Sequence, residues 1–202
     1  MPHDTGKGKK NEKYFRIIDA ATRIFAQKGF FNAKVSEIAG EAGVADGTIY
    51  IYFENKDDIL ISLFEEQMQT VLDNMVTQLE SEDDPAEKLK TFALVHLRLI
   101  QKSKDMAEII QVELRQSSKF MKEYENKKFA QYLDLIGDIV REGQEQGVFD
   151  RNVIPGVAKR AFFGALDEMS RFWVLSSRKR YDIEVAADQI SSFFLKGIQA
   201  GA

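Results

Sequence analysis

The chain has 202 residues, 44% hydrophobic and 30% charged, enough to bury a substantial core in one or two domains. It contains no cysteine, which excludes disulfides, thiolate metal sites and thiol nucleophiles. A net charge of −4 conceals a basic end: Lys7, Lys9, Lys10, Lys13, Arg16, Arg23, Lys28 and Lys34 face only Asp4, Glu12 and Asp19 within residues 1–34, a local +5 that leaves −9 on the remainder.

A basic end on an acidic body suits a polyanion-binding head, because phosphate attraction is local, although a disordered basic tail carries the same charge. Three prolines, few β-branched runs and abundant Leu, Ile, Glu, Lys and Gln favour an all-α protein with no strand. No apolar run reaches the roughly 18 residues of a membrane span, and the N-terminus lacks the hydrophobic stretch of a signal peptide. The expectation is a soluble, cytoplasmic protein with no membrane partner.

Residues 1–11 lack apolar content and are expected to form a disordered basic tail. From there Tyr14, Ile17, Ile18, Ala21, Ile24 and Phe25 recur at helical spacing, and Gly29 offers a left-handed stop. Val35, Ile38, Ala39 and Ala42 mark a short second helix ended by Gly43, and a third is expected from about Asp46 to Phe53. Two short helices joined by a glycine-containing turn form a helix-turn-helix, placed here in a domain spanning 12–55.

Asn55, followed by Asp57 and Asp58, signals the next helix start, since the amide caps free N–H groups and the acids suit the positive end. Ile59, Leu60, Leu63, Phe64, Met68, Val71, Leu72, Met75, Val76 and Leu79 then hold one apolar stripe. Residues 56–80 span roughly 37 Å at 1.5 Å per residue, long enough to join two domains. Pro85 ends this segment, and further helices are expected at about 86–102, 106–116, 119–146, 155–176 and 183–199, with Gly147 stopping the third and Pro155 opening the fourth. Residues 56–202 thus form a second helical domain.

The stretches AAxxIFAxxGF at 20–30, VSEIAGEAGV at 35–44 and GTIYIYFENKDDIL at 47–60 resemble the DNA-binding head of the tetracycline-repressor (TetR) family of one-component bacterial regulators. VADGTIYIYFENKDDILISLF at 44–64, QVELRQS at 111–117 and FGALDEMSRFWV at 163–174 are similar to the fatty-acid-degradation repressor (FadR) branch of that family. The resemblance implies a homodimeric, non-enzymatic repressor of fatty-acid-degradation genes, bound to pseudo-palindromic operator DNA and released by long-chain acyl-CoA. It implies no metal and no cofactor beyond that effector. Two other readings stay open: a repressor of an efflux gene that senses a lipophilic drug, and a helical enzyme or scaffold.

In such a head Thr48, Tyr50 and Tyr52 present hydroxyls to phosphate oxygens, Gly47 allows close backbone approach, and Lys56 lies at the next helix start. Lys34 replaces the usual Thr and brings a charge that can reach phosphate. Asp46 either caps the third helix or accepts from a cytosine amino group. Ordinary half-buried packing also explains a tyrosine on a short helix.

In the body, Phe92, His96, Leu97, Ile100, Ile109, Ile110, Phe129, Tyr132, Leu133 and Phe163 line either an acyl tunnel or a solid core. Glu113, Arg115, Gln116, Asp167 and Glu168 are the polar residues set among them. Arg115 either clamps a pyrophosphate or carboxylate or braces helices through an ion pair. Arg178, Lys179 and Arg180 form a basic loop that reads as solvated. The last two helices carry Phe162, Ala165, Met169, Trp173, Ile190, Phe193, Phe194 and Gly197 as the dimer interface, with small residues permitting close approach in a four-helix bundle.

Overall fold

The computed structural model describes residues 5–114, 117–176 and 181–200. These form α1 Thr5–Lys28, α2 Val35–Ala42, α3 Asp46–Ile49, α4 Lys56–Leu79, α5 Pro85–Lys102 and α6 Lys104–Glu108. A π turn, Ile109–Glu113, continues α6, and α7 Ser118–Lys122, α8 Lys127–Glu145, α9 Pro155–Leu175 and α10 Ile183–Ile198 follow. Among the described residues there is no strand, only an isolated bridge between Phe149 and Gln199, as the composition implies.

Four expected segments end elsewhere. The basic tail is helical from Thr5, because once a stripe such as Ile17 to Phe25 nucleates a helix, each residue added costs little. The third helix stops at Ile49 instead of Phe53. Ile51 N–H donates to the Thr48 carbonyl at 3.2 Å and Tyr52 N–H to Ile49 at 3.0 Å, a tightened last turn that suits a β-branched and aromatic run poor in helix propensity. The expected 106–116 helix passes into the π turn at Ile109. The expected 119–146 helix is two, divided where Asn126 Oδ1 accepts the Phe129 N–H at 3.0 Å and starts α8.

The contacts divide the chain into two compact units, and not at residue 56. The first holds the chain through Gln67, hence the opening turns of α4, together with Asp105–Tyr124; the second holds Met68–Lys104 and the chain from Glu125. In the first unit Gly29 and Gly43, at φ 76° and 64°, end α1 and α2 in the left-handed conformation that glycine adopts without strain. Ile17, Ile38, Ile49, Ile59, Leu60 and Leu63 are fully buried and form its core.

In the second unit α8 packs on α5 and α9, and α10 on α5 and α9. One stripe of α9, Ala158, Phe162, Leu166, Ser170 and Trp173, faces inward at helical spacing. Asp84 accepts the Ala86 N–H at 2.8 Å and Pro85 occupies the first turn, which together start α5. After α8 the chain turns back so tightly that a Cβ on Gly143 would lie 2.1 Å from the Phe149 ring, and Phe149 is itself fully buried. Asp150 N–H then donates to the Ile198 carbonyl at 2.9 Å, tying this turn to the end of α10.

Gly143→Ala is therefore expected to destabilise the chain by about 1–3 kcal/mol through overpacking. Chemical denaturation reads the loss, and adding Phe149→Leu should recover part of it; an unchanged midpoint in the single variant contradicts the assignment.

Candidate functional site

The first unit presents a small exposed surface on a rigid frame. Lys34, Asp46, Gly47 and Tyr50 are exposed, and Thr48 and Tyr52 half-buried. Tyr50 is 59% and Ile51 68% accessible, whereas Ile49 and Phe53 lie inside. Tyr52 rests against Tyr14 (centroids 6.4 Å) and Phe53 (6.3 Å), and Tyr14 stacks on Phe53 at 5.4 Å. Four aromatic or aliphatic groups thus fix the turn from below while Tyr50 and Ile51 stand clear.

The basic residues of the head whose side chains are described divide into a bracing set and an exposed one. Arg16 donates to the Ala42 and Gly43 carbonyls at 2.5 and 3.3 Å, a cation at the negative end of α2. Arg23 pairs with Glu41 at 2.7 Å and Lys28 with Glu37 at 2.9 Å. Lys28 and then the Lys34 N–H hold the Glu37 carboxyl below its usual range. Lys56 donates to the Phe31 and Ala33 carbonyls at 3.1 and 3.0 Å, with its ammonium 4.7 Å from the Phe30 ring centre. Lys56, expected from the sequence to meet phosphate, also braces the head, because the α1–α2 turn brings two carbonyls within its reach. Lys34 caps nothing with its side chain, which leaves that charge exposed, while its N–H donates to Glu37 at 3.1 Å.

Sequence reasoning passed over Ile51, in the turn after α3, and Phe31, 67% exposed in the α1–α2 turn. The available signal was Ile51's place between two tyrosines, off the buried stripe.

In the second unit the residues expected to meet ligand converge around one histidine. His96 Nδ1 is 2.8 Å from the Tyr132 hydroxyl and Nε2 3.4 Å from Ser170 Oγ. Phe92 stacks parallel to the imidazole and Phe163 meets it edge-on at 5.6 Å, with Phe129 5.1 Å from Phe163. Leu133 is buried one residue after Tyr132. Burial pushes the His96 pKa down to about 4, against an upward pull from Asp167, and burial likewise raises that of Tyr132. The neutral ring has one donor and one acceptor nitrogen, so Tyr132 and Ser170 take complementary roles in one relay.

Other expected ligand residues, Ile109, Ile110 and Glu113, lie in the first unit. Ile109 and Glu113 are buried in the first unit, where the Glu113 carboxylate accepts the Phe30 N–H at 2.5 Å. That bond satisfies a backbone donor just beyond α1, a partner that no sequence spacing announces. Arg115, Gln116 and the Arg178, Lys179 and Arg180 loop lie outside the described residues.

The expected dimer face is split. Phe162 and Trp173 point into the protomer's own core, Phe162 4.6 Å from Phe194, because α9 carries two apolar stripes and period alone does not say which faces inward. Ala165, Phe193 and Gly197 are exposed, Phe193 by 69%, and Met169, Ile190 and Phe194 half-buried. Val157, Phe172 and Leu175 extend the outer stripe of α9.

The His96 relay predicts an acid sensitivity. Its folded pKa of about 4 lies below the ordinary 6.5, so between those values the unfolded chain binds a proton that the folded chain does not, and stability falls as pH drops. The full effect is on the order of 3 kcal/mol. His96→Gln, which keeps hydrogen-bonding capacity and loses the titration, should flatten unfolding free energy against pH in that window; identical slopes contradict the assignment.

Residues 17–63 match the family described as bacterial regulatory proteins, tetR family, and residues 64–197 match the C-terminal region of YsiA-like proteins. Over 189 residues the chain is 36% identical to the fatty acid metabolism regulator protein of Bacillus subtilis (strain 168), covering 94% of this chain and 97% of that one. Its fold is similar to that of the transcriptional regulator FadR from Bacillus subtilis, solved in complex with stearoyl-CoA, at TM-score 0.85 and 35% identity over 92% of this chain and all of that one. It is also similar to the fatty acid degradation regulator FadR from Bacillus halodurans, at TM-score 0.84 and 38% identity over 92% and 95%. With a helix-turn-helix head and a helical second unit that match along almost their whole length, the chain belongs to the TetR family of bacterial regulatory proteins.

Proposed function

We propose that the chain is a repressor of fatty-acid-degradation genes that leaves its operator when it binds long-chain acyl-CoA. The observation that carries this reading is the 36% identity along nearly the full length of a fatty acid metabolism regulator, together with the likeness to FadR of the same organism, solved in complex with stearoyl-CoA.

At the operator, Tyr50, Tyr52 and Thr48 donate to phosphate oxygens and set register, while Gly47 lets the start of α3 approach the backbone. Ile51, exposed between the tyrosines, suits a thymine methyl in the major groove. Lys34 adds an exposed cation, and Asp46, exposed at the start of α3, suits a cytosine amino group. The outer stripe of α9 with Phe193 and Gly197 of α10 pairs two copies, since apolar surface at that spacing finds its match in a second copy related by a two-fold axis. Two heads then meet a pseudo-palindromic site.

The effector's acyl chain is read by the aromatic groups around His96. Phe92, Phe129, Tyr132, Leu133 and Phe163 supply apolar surface, and the relay to Tyr132 and Ser170 keeps the imidazole satisfied without water. Acyl-CoA must bind the DNA-incompetent conformation more tightly for release to follow.

Fluorescence anisotropy of a bound duplex, titrated with acyl-CoA of increasing chain length, tests this reading. Burying a CH₂ contributes about 0.8 kcal/mol, so two added carbons should lower the releasing concentration roughly tenfold until the chain outgrows its site. Free coenzyme A should release nothing. A duplex that stays bound through lauroyl-, palmitoyl-, stearoyl- and oleoyl-CoA contradicts the proposal and favours a lipophilic drug as effector.

A further inference from the structure

Segment 105–124 belongs to the first unit by its contacts, yet at both ends the chain runs on into the second. It is fastened to the first unit at two places. At one, Glu113 in the π turn, 6% exposed, accepts the Phe30 N–H at 2.5 Å. At the other, the Ser117 hydroxyl donates to Asp57 at 2.6 Å and the Lys119 ammonium to Asp58 at 2.7 Å, on the first turn of α4. Phe120 closes edge-on against Phe64 at 5.0 Å.

The two fastenings differ in kind. Asp58 and Lys119 are partly exposed, and water can replace what they give each other, while Ser117 beside them is buried but bonds a half-buried side chain and no backbone donor of the head. The Glu113 bond is buried, so removing the carboxylate strands a backbone N–H away from solvent. Its location gives it leverage. Phe30 follows Gly29, whose left-handed φ of 76° ends α1, so the bond sets the direction in which the chain enters the turn to α2. Lys56 holds the same turn through the Phe31 and Ala33 carbonyls. Residues 30–33 are held by two distant side chains, Glu113 and Lys56, and the chain reaches the exposed Lys34 directly after them. The gripping element is a π turn, a rare helical form that recurs at functional sites.

We propose that Glu113 is a positioning residue for operator recognition: through Phe30 it holds the reading surface in its DNA-binding geometry, so the chain segment that leads into the second unit governs DNA affinity without touching DNA. This rests on the operator-binding reading above.

The test compares unliganded wild type, Glu113→Ala, Glu113→Gln and Ser117→Ala. The probe is a duplex enriched by the wild-type chain from a random-sequence library, beside a scrambled duplex of equal length. Exchange of the Phe30 amide proton is followed by NMR, and thermal unfolding confirms that each variant is folded. Glu113→Ala should accelerate Phe30 exchange roughly tenfold or more through local opening. It should weaken binding to the enriched duplex on the order of tenfold, with scrambled-duplex affinity and salt slope unchanged, because no phosphate contact is lost.

Glu113→Gln, whose side-chain carbonyl still accepts, should restore both readouts, and Ser117→Ala should leave Phe30 exchange at the wild-type rate. Wild-type affinity for the enriched duplex in Glu113→Ala, despite faster Phe30 exchange, overturns the proposal. So does a Gln variant as weak as Ala. If wild type itself fails to prefer any enriched duplex, the operator-binding reading falls and takes the proposal with it, an outcome visible before any variant is made.

Discussion

The recognition helix α3 is a single turn, Asp46–Ile49, far below the length at which a helix sustains itself in water, so external contacts set where its side chains stand. The rest of the first unit follows from that constraint. Ile49 is buried beneath it, Tyr14, Tyr52 and Phe53 form an aromatic floor, and Arg16 holds the carbonyl end of α2, where the connection to α3 begins. Arg23, Lys28 and Lys56 are tied to Glu41, Glu37 and the carbonyls of the α1–α2 turn. Four cations that at first sight belong to a nucleic-acid surface brace the scaffold instead, and the outward-facing groups at and around α3 are Lys34, Asp46, Gly47, Tyr50, Ile51 and the edges of Thr48 and Tyr52.

A different economy governs the second unit. Its core contains a titratable group that stays neutral because burial outweighs the Asp167 charge, and the imidazole's two nitrogens are matched by Tyr132 and Ser170. A fully satisfied relay among aromatic rings specifies one packing more sharply than apolar contact does, since any rearrangement must re-pair three polar groups. On the neighbouring helix, α9 serves two masters: the stripe through Phe162 and Trp173 closes the core, and the stripe through Val157, Ala165, Phe172 and Leu175 remains exposed.

Much of this was legible in the sequence where a residue acts through its own backbone. Gly29, Gly43 and Gly147 adopt positive φ as their positions at helix ends imply, and Asn55 and Pro155 start their helices. Helical period located the stripe of α4 and the long helices of the second unit. What could not be read depends on partners distant in sequence. Glu113 meets Phe30 across 83 positions and Lys56 meets Phe31 across 25, so an acid in an apolar stretch and a lysine at a helix start carry no mark of the carbonyls and amides they serve. The same limit placed Phe162 and Trp173 on the wrong face of α9, because two apolar stripes share one period. The division of the segment after Lys122 turns on Asn126, whose side chain caps α8.

A repressor released by its effector must obey linkage: whatever factor stearoyl-CoA takes from DNA affinity, DNA must take from stearoyl-CoA affinity. Calorimetric titration of stearoyl-CoA into the chain, alone and saturated with an enriched duplex, measures that factor without reference to any gene or promoter. The account predicts weaker stearoyl-CoA binding to the DNA-bound chain, by the same factor that stearoyl-CoA lowers duplex affinity. Equal stearoyl-CoA affinities with and without duplex would contradict it, since a ligand indifferent to the DNA-bound state cannot drive release.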